Sequence, residues 1–561
     1  MHLSARLRHH MSRAWSGLDS ATAARMAMLV MPLLFGLLSL RLGQDDNWDL
    51  KNYHLYNPFA FLNGKIGFDL APAQWQSYFN PTLDLLYYGL NKAFAAPVVG
   101  FSMGFLHGLN FLLVAAIARQ VKPAAAGNGY RTPLLLALAG TLGTGFLAQL
   151  GNSMGDNMTS LFVLGALLCI LRGWDTMAAG GRHALLSALP AGLLMGLGCG
   201  LKLTNATYAL ALCIALLAVP GAVAMRCGIA LVFGFGVLGG IAISAGHWFA
   251  LMYHTFGNPL FPQFNDFFHA PMAAPIGIGD TGWLPKNLFE KLSWPLIFAI
   301  HPRRVGELPL RLWLWPVLYV AMLMLALKII GLFKHATASP PVGRERFVLF
   351  FFALTYLAWL NLFGIYRYLV PLELLLPLVL WMVASRLLPS PLAARVATAI
   401  LIVGIVAGLP RASWGHAPWS RTAFSAELPV ITEPRESMIV TVHGDPPMGW
   451  LVTRFPATLA FVALESGFPE SPMFVDTVKH MAAARKGPMY VMLQSDRTDP
   501  TAARSPMQVE QAQAANQALL TRAAMVVSHY GFAMDAASCK AYPAFVGKSR
   551  WNYQLCMIRK Q

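Results

Sequence analysis

Three carboxylates stand close together directly after the first apolar segment of the chain. Asp45, Asp46 and Asp49 follow an apolar run that extends from residue 26 to residue 42, and aromatic residues surround them. Clustered carboxylates suit hard divalent cations, and an apolar environment raises the pKa of a carboxyl group towards that of a general base. The pattern leaves three interpretations open: a metal site, a catalytic base or a solvated acidic loop.

Three further ionic side chains occur where apolar segments begin or end. Asp156 follows a glycine, Lys202 begins a short polar turn, and Arg367 stands between two tyrosines. Each has a structural interpretation: a helix N-cap for the aspartate, a snorkelling side chain for the lysine and an interfacial anchor for the arginine. Charged groups at membrane depth cost about 2.5–3.5 kcal/mol each, so function is the default hypothesis for them.

Two more polar residues complete this group of candidates. Glu373 falls about one and a half turns inside an apolar segment, where a carboxylate should be buried and paired. Arg367 or Lys202 is the expected partner. His247 is followed by His254 and His269 in what is predicted to be a loop, and a structural role competes with a functional one for it.

The composition indicates a polytopic membrane protein. Of 561 residues, 56% are hydrophobic and 12% are charged, and the mean hydropathy is +0.52, whereas soluble proteins carry about 25% charged residues. An ordinary soluble enzyme is therefore excluded. The net charge of +17 is explained by the excess of Lys and Arg in cytoplasmic loops, and no nucleic-acid partner is expected. The chain has no Walker A motif, which disfavours ATP-driven transport.

Apolar runs of near-spanning length predict about eleven transmembrane helices. They cover residues 26–42, 97–118, 133–150, 158–171, 184–201, 204–219, 228–247, 312–333, 347–365, 368–385 and 394–410. The N-terminal segment 1–25 contains Arg6, Arg8, Arg13 and Arg25 against a single acid, Asp19. This balance places the N-terminus in the cytoplasm.

Charge placement agrees with this topology. The predicted cytoplasmic loops are rich in Lys and Arg, including Lys122 and Lys334, while the outer segments 43–96 and 248–311 are long, aromatic and richer in Asp. The division is a cytoplasmic N-terminus over 1–25, a transmembrane domain over 26–410 and an outer soluble domain over 411–561. We expect interfacial helices over 49–62 and 286–300, since apolar residues recur there at helical spacing.

The C-terminal region alternates short strand-like and helical patterns, which predicts an α/β domain. Strands are expected over 437–442 and 488–493, and helices over 473–485 and 507–529. The six cysteines show no zinc-binding spacing. Cys539 and Cys556 are the two cysteines outside the apolar region, and we hypothesise a disulfide between them if this domain lies in an oxidising compartment.

Short motifs resemble those of one family of membrane enzymes. They are Asp49-Leu-Lys-Asn-Tyr53, Gly64, Phe68-Asp69-Leu-Ala-Pro72, Met154-Gly-Asp156, Gly200-Leu-Lys202 and Tyr366-Arg367-Tyr368-x-x-Pro371. In their order along the chain they resemble the GT-C glycosyltransferases, and the first outer loop is similar to that of protein O-mannosyltransferases and lipid A aminoarabinose transferases. The resemblance implies a polytopic α-helical fold of GT-C type with about eleven transmembrane helices, here carrying a C-terminal periplasmic α/β domain.

The resemblance also implies an activity and a set of roles. The enzyme would move a sugar from a polyprenyl-phosphate donor to an envelope lipid, glycan or protein acceptor, with inversion. Asp49 is the favoured general base, and Asp46 and Asp45 are its alternatives. Lys202 and Arg367 would bind the donor phosphate. Asp156, Asp69 and His54 would orient the acceptor, and Tyr53, Glu373 and His247 would support the site.

Several expectations about partners and rival functions follow. The expected location is the bacterial inner membrane, with membrane lipids as neighbours and the C-terminus in the periplasm. No cofactor is expected, while a divalent cation at the Asp45, Asp46 and Asp49 cluster stays open. The alternative functions are a lipid-linked polysaccharide polymerase or ligase and a secondary transporter; the latter ordinarily shows paired halves, and no repeat is visible here.

Overall fold

The computed structural model describes residues 17–121, 129–332, 343–409, 412–442, 447–497 and 505–561. The basic residues Arg6, Arg8, Arg13, Lys122 and Lys334, which were assigned to the cytoplasmic side, lie outside these ranges, as does the boundary proposed at residues 410 and 411. The fold combines a large helical part with a C-terminal part built on a sheet.

Helices occur at all eleven predicted span positions in the described chain. In the helical part they are α1 Ala21–Leu42, α2 Tyr56–Leu62, α3 Asp84–Ala93, α4 Ala96–Gly108, α5 Asn110–Val121, α6 Arg131–Thr141, α7 Thr144–Ala148, α8 Asp156–Arg172, α9 Trp174–Ala179, α10 Gly181–Ser187, α11 Leu189–Leu201, α12 Ala206–Leu216, α13 Val223–Phe256, α14 Asn265–Phe268, α15 Leu288–Ile300, α16 Leu314–Ile329, α17 Gly343–Leu362, α18 Val370–Leu387 and α19 Ser390–Ala407. Among the described residues, seven helical stretches are long and apolar enough to cross a membrane. The chain is therefore built like a polytopic membrane protein, and the number of eleven crossings stays a prediction.

Close packing of small residues joins α11 to α13. A Cβ atom on Gly192 would meet Phe233 O at 2.2 Å, and one on Gly196 would meet Val237 O at 2.1 Å. Small residues spaced four apart allow two membrane helices to approach until their backbones touch. This contact fixes the end of α11, and Lys202 follows directly after it.

The helix at the predicted span 228–247 extends beyond both ends of that span. Helix α13 continues to Phe256, and with 34 residues it is about 51 Å long. It ends where Gly257 adopts a positive φ of 80°, a conformation that glycine tolerates best. His254 consequently lies on a helix and not in the loop that was expected there.

The C-terminal part forms a mixed six-stranded sheet flanked by helices. The strands of the described chain are β1 Gln44–Asp45, β2 Pro72–Trp75, β3 His416–Ala417, β4 Phe424–Ala426, β5 Met438–Val442, β6 Ala460–Leu464, β7 Met489–Gln494, β8 Phe532–Met534, β9 Lys540–Tyr542, β10 Ala544–Val546, β11 Ser549–Arg550 and β12 Tyr553–Lys560. Strands β1 and β3 form a two-stranded sheet and β4, β10 and β11 a three-stranded one, so the six-stranded sheet of the C-terminal part consists of β5, β6, β7, β8, β9 and β12. Its helices are α20 Gly449–Val452, α21 Pro472–Ala483 and α22 Pro506–His529. The sheet order is β6-β5-β7-β12-β8, with β9 also paired to β12.

Both predicted strands and both predicted helices of this part are present, with ends shifted by up to two residues. Strands β5, β6 and β7 run parallel, whereas β12 runs antiparallel to β7. The sulfur atoms of Cys539 and Cys556 are bonded.

The three predicted outer segments contact one another. Strand β1 pairs with β3, Leu70 bridges to Val462 of β6, and Ala274 N donates a hydrogen bond to Pro469 O. On another part of the helices, Arg344 pairs with Asp175, two residues that were both assigned to cytoplasmic loops. The segments expected on one side of the membrane thus lie together; which compartment they face stays a prediction.

The expected interfacial helix over 49–62 is not at a surface. A π-helical turn, Leu50–His54, precedes α2, and every residue from Leu50 to Ala60 is buried. Helix α20 covers this turn so closely that a Cβ atom on Gly449 would lie 1.9 Å from Asn52 O. Helix α15, by contrast, exposes an apolar face, as expected for 286–300, that includes Leu288, Phe289 and Leu292.

Candidate functional site

Asp49 and Arg367 form the first ion pair of the site. Asp49 directly precedes the π-helical turn, and Arg367 lies in a short 3-10 turn, Tyr366–Leu369, that leads into α18. Arg367 Nη1 donates a hydrogen bond of 2.5 Å to Asp49 Oδ2, and both side chains are about nine-tenths buried. The Tyr53 hydroxyl lies 3.4 Å from the same carboxylate oxygen. Thus, the predicted first outer loop, residues 43–96, is tied to the start of a late apolar helix.

Lys202 and Asp156 form the second ion pair. Lys202 Nζ lies 2.6 Å from Asp156 Oδ1 and also donates to Met154 O at 2.8 Å. Asp156 is the first residue of α8, where a carboxylate also meets the positive end of the helix dipole. Gly155 before it has a φ of 86°, and a Cβ atom there would meet Leu83 Cδ2 at 2.7 Å, so this turn requires glycine.

A single aromatic ring brings the two pairs together. Lys202 Nζ and Arg367 Cζ each lie 5.3 Å from the ring centroid of Tyr368. The Lys202 side chain is 16% exposed and that of Arg367 is 12% exposed. Two cations held this close, and still reached by solvent, form a site that suits a doubly charged anion.

A histidine–carboxylate pair borders the same site. His54 Nδ1 lies 2.7 Å from Asp84 Oδ1, and both side chains are almost fully buried. His54 ends the π-helical turn and Asp84 begins α3. The charges of His54 and Lys202 both act on Asp49 and Asp84. We call these six residues the charged cluster: Asp49, His54, Asp84, Asp156, Lys202 and Arg367.

Burial and charge set the protonation of the two outer-loop carboxylates in opposite directions. Burial by itself would raise the pKa of Asp49, but the charges of Arg367 and His54 outweigh it and hold that pKa below its ordinary value. Burial raises the pKa of Asp84, although His54 opposes the shift. Asp49 is therefore an ionised partner of Arg367 in this arrangement.

Three polar atoms of the charged cluster have no hydrogen-bond partner although they are buried. They are His54 Nε2, Asp156 Oδ2 and Arg367 Nε. Buried polar groups are usually satisfied, and such unmet capacity is typical of sites that bind a ligand. One such atom belongs to each of the three pairs that make up the cluster.

Asp45 and Asp46 point to other partners. Asp45 accepts hydrogen bonds from Ser153 N at 2.7 Å and from Asn47. Asp46 pairs with Lys51 at 2.9 Å, and burial raises the pKa of Asp46 against the opposing charge of Lys51. The structure thus separates the three neighbouring aspartates, and only Asp49 belongs to the charged cluster.

Asp69 also lies outside the charged cluster. It accepts hydrogen bonds from Phe461 N at 2.9 Å and the Tyr56 hydroxyl at 3.0 Å, and it pairs with Lys65 at 3.1 Å. Lys65 in turn donates to Leu459 O at 2.7 Å. These contacts attach the first outer loop to strand β6 of the C-terminal part.

The expected partner of Glu373 was wrong. Glu373 is buried, as predicted, but it accepts hydrogen bonds from Gly145 N, Phe146 N and the Tyr366 hydroxyl at 2.7–3.0 Å. The break between α6 and α7 exposes these amide groups, and a carboxylate satisfies them without a cation. His247 lies 3.3 Å from Thr82 Oγ1 and beside the Phe61 ring.

The residues that the structure describes contain no group of three or more His, Cys, Asp or Glu side chains arranged to hold a metal ion.

Two members of the site were missing from the sequence-based candidates: Asp84 and Tyr368. Asp84 follows the acidic loop by many residues, and only its position at the start of a short helix could have signalled it. Tyr368 is adjacent to Arg367 and was treated only as part of that motif.

No protein-family model matches the chain, and no curated protein sequence matches it. Six chains of solved structures match it by shape. One is the crystal structure of the apo oligosaccharyltransferase of Archaeoglobus fulgidus, with a TM-score of 0.41 and 12% sequence identity. The match covers 83% of this chain and 69% of that chain.

Proposed function

We propose that this protein transfers a sugar from a polyprenyl-phosphate donor to a hydroxyl group of an envelope lipid, glycan or protein. The reaction takes place at the outer face of a bacterial inner membrane. The observation that carries the proposal is the pair of cations, Arg367 and Lys202, beside the one ring of Tyr368. Both are partnered by carboxylates that a phosphate can replace.

The two cations match the shape and charge of a phosphate group. A guanidinium forms paired hydrogen bonds with phosphate oxygens, and an ammonium adds a compact charge. The free Nε of Arg367 is an additional donor for such a ligand. When the donor loses its sugar, negative charge grows on the bridging oxygen, and cations already in place stabilise that charge most effectively.

The position of the cations suits a donor dissolved in the membrane. Lys202 follows the apolar stretch Gly181–Leu201, and Arg367 begins the apolar stretch Tyr366–Leu387. A lipid tail can remain among these helices while its phosphate reaches the cations at their ends. A soluble nucleotide-sugar donor needs no such placement.

The proposed chemistry is an inverting displacement. The acceptor oxygen forms a bond to the anomeric carbon, and the bond from that carbon to the phosphate oxygen breaks. The electron pair leaves with the polyprenyl phosphate, and the acceptor proton goes to a base. Two groups of the charged cluster can take it: the Asp49 carboxylate and the His54 imidazole. Asp156 keeps a free oxygen, Oδ2, that can hold the acceptor.

The test uses the full chain in lipid nanodiscs with a panel of radiolabelled polyprenyl-phosphate sugars and an envelope extract as acceptor. We expect transfer by the wild type and a loss of at least 100-fold in Arg367→Ala and Lys202→Ala. Arg304→Ala is the matched control, because Arg304 pairs with Glu290 outside the charged cluster. Its rate should stay within threefold of wild type.

A second comparison separates the neighbouring aspartates. We expect Asp49→Asn to lose transfer and Asp46→Asn to keep most of it, because Asp46 is paired with Lys51. Each is assayed with and without EDTA. Loss of wild-type transfer in EDTA assigns a divalent cation to the reaction. Absence of transfer from every donor contradicts the proposed function, and uptake of a solute by the same protein in sealed lipid vesicles would favour a transporter.

A further inference from the structure

We propose that His54, oriented by Asp84, is the base that removes the proton from the acceptor hydroxyl. This inference rests on the proposed sugar transfer and names the proton acceptor of that same site. It replaces Asp49 in that role and gives Asp49 the task of holding Arg367.

The hydrogen bond between His54 and Asp84 leaves one ring nitrogen available. With Asp84 ionised, its carboxylate can only accept, and the 2.7 Å contact between His54 Nδ1 and Asp84 Oδ1 then places the ring proton on Nδ1. Nε2 then carries a lone pair. Nε2 is buried and has no hydrogen-bond partner. Its lone pair is therefore available to accept the proton of an acceptor hydroxyl.

Asp49 is already engaged. Its Oδ2 accepts the hydrogen bond from Arg367 and lies near the Tyr53 hydroxyl. The cation beside it holds the pKa of Asp49 below its ordinary value, and a carboxylate that holds its proton weakly is a poor base for a hydroxyl. A neutral imidazole is a stronger proton acceptor at neutral pH.

Asp84 and Tyr53 hold the ring of His54 in place. Asp84 contacts Nδ1 and leaves Nε2 directed away from it. Other ionisable groups face the pair from its own turn and from the membrane helices: Asp49, Tyr53, Lys202 and Arg367. The ring of Tyr53 packs 4.1 Å from the imidazole and fixes its plane.

The proposed step balances without a further reactant. The acceptor O–H bond breaks and its proton goes to Nε2, while the oxygen forms the new bond to the anomeric carbon. The carbon–oxygen bond to the phosphate breaks, and its electron pair remains on the polyprenyl phosphate beside Lys202 and Arg367. The imidazolium then returns its proton to the departing phosphate or to water.

The first experiment measures the pH dependence of kcat/KM for transfer. A histidine base gives an acid limb between about pH 5 and 8, which a carboxylate with a lowered pKa does not give. We expect that limb in the wild type and its absence in His54→Gln, with kcat reduced about 10²–10⁴-fold. The Kd for polyprenyl phosphate should stay within threefold, since the phosphate ligands are unchanged. His480→Gln, an exposed histidine bonded to its own helix, should behave as wild type.

A second variant keeps His54 in place. Asp84→Asn removes the charge that stabilises the imidazolium, so the acid limb should move to lower pH, with a smaller loss of kcat than in His54→Gln. This result does not depend on whether the His54 variant folds. A limb that moves in the opposite direction, or does not move at all, contradicts the proposal.

The outcomes separate this inference from the proposed function. If the wild type transfers no sugar from any donor, the proposed function fails and the inference fails with it. If the wild type transfers sugar and His54→Gln keeps both the acid limb and a kcat within threefold, only the inference is overturned.

Discussion

Asp49 and Arg367 are 318 positions apart in the chain, and a hydrogen bond of 2.5 Å joins their side chains. The contact fixes the π-helical turn Leu50–His54 against the start of α18. Each partner is nearly buried, so each depends on the other to offset the cost of its desolvated charge. A phosphate that binds Arg367 must compete with this carboxylate.

We expect substitutions at this ion pair to affect the stability and the activity of the protein differently. Arg367→Ala leaves a buried carboxylate without its cation and should lower the free energy of unfolding by about 3–5 kcal/mol. The double variant Arg367→Ala with Asp49→Asn removes both charges and should recover most of that loss, while sugar transfer stays abolished. Thermal unfolding in detergent and the transfer assay measure the two effects on the same samples.

The control for this cycle is the pair of Arg344 and Asp175. The Asp175 side chain is 82% exposed, and exposed ion pairs contribute about 0–1 kcal/mol. Arg344→Ala should therefore change the free energy of unfolding very little. If the double variant at Asp49 and Arg367 is no more stable than Arg367→Ala, the unpaired Asp49 charge does not destabilise the fold and the expected recovery is contradicted.

The C-terminal part has a predicted role in positioning the π-helical turn. A Cβ atom at Gly449 would lie 1.9 Å from Asn52 O, and because that atom belongs to the backbone, the turn must move. Gly449→Ala should lower kcat for transfer by about 10²-fold, since displacement of reacting groups by about 1 Å has effects of this size. Gly234→Ala, at a helix position with nothing within 4 Å, should retain wild-type kcat. Equal kcat for both variants would contradict this role.

Asp69 should make stability depend on pH. Burial raises the pKa of Asp69 to about 6, although Lys65 opposes the shift. Below about pH 4 the carboxyl group is protonated in both the folded and the unfolded chain, whereas between about pH 4 and pH 6 only the folded chain keeps the proton. Stability should therefore fall by about 3 kcal/mol across this interval relative to Asp69→Asn.

The comparison of wild type with Asp69→Asn isolates this contribution, because other titrating groups affect both proteins. The free energy of unfolding is measured from pH 4 to pH 7 for each, and the difference between them is plotted against pH. A difference that is constant with pH, or one that favours the wild type as pH rises, would show that the pKa of Asp69 is not raised.

The sequence predicts helices where their apolar length is distinctive, and it fails where contacts distant in sequence decide. The positions of α1, α4 and α19 follow from hydropathy. The burial of residues 50–60 does not, because helix α20, which covers them, comes almost 400 positions later. The amphipathic sequence pattern of a helix is the same whether its polar face contacts water or another domain.

The same reasoning applies to the site. Asp49, Asp156, Lys202 and Arg367 were singled out from the sequence as charges near the ends of apolar runs, and the fold joins them in two ion pairs. Asp84 was not, because only the fold places it 2.7 Å from His54. The sequence analysis expected a cation as the partner of Glu373, but backbone amides donate hydrogen bonds to it. These amides are available because the helix breaks at residues 142–143, and hydropathy does not reveal that break.

The disulfide between Cys539 and Cys556 allows two properties of the C-terminal part to be tested: its stability and the compartment that it faces. The link joins residues 17 positions apart, and closing a loop of this length stabilises a fold by about 3 kcal/mol. We expect the double variant of both residues to Ser to unfold at lower temperature, with little change in Cys213→Ser, a half-buried free cysteine.

In cells lysed under denaturing conditions with a maleimide mass tag, the wild type should gain two further tags only after reduction, because disulfides persist in oxidising compartments. Full tagging without reduction would contradict a periplasmic C-terminus.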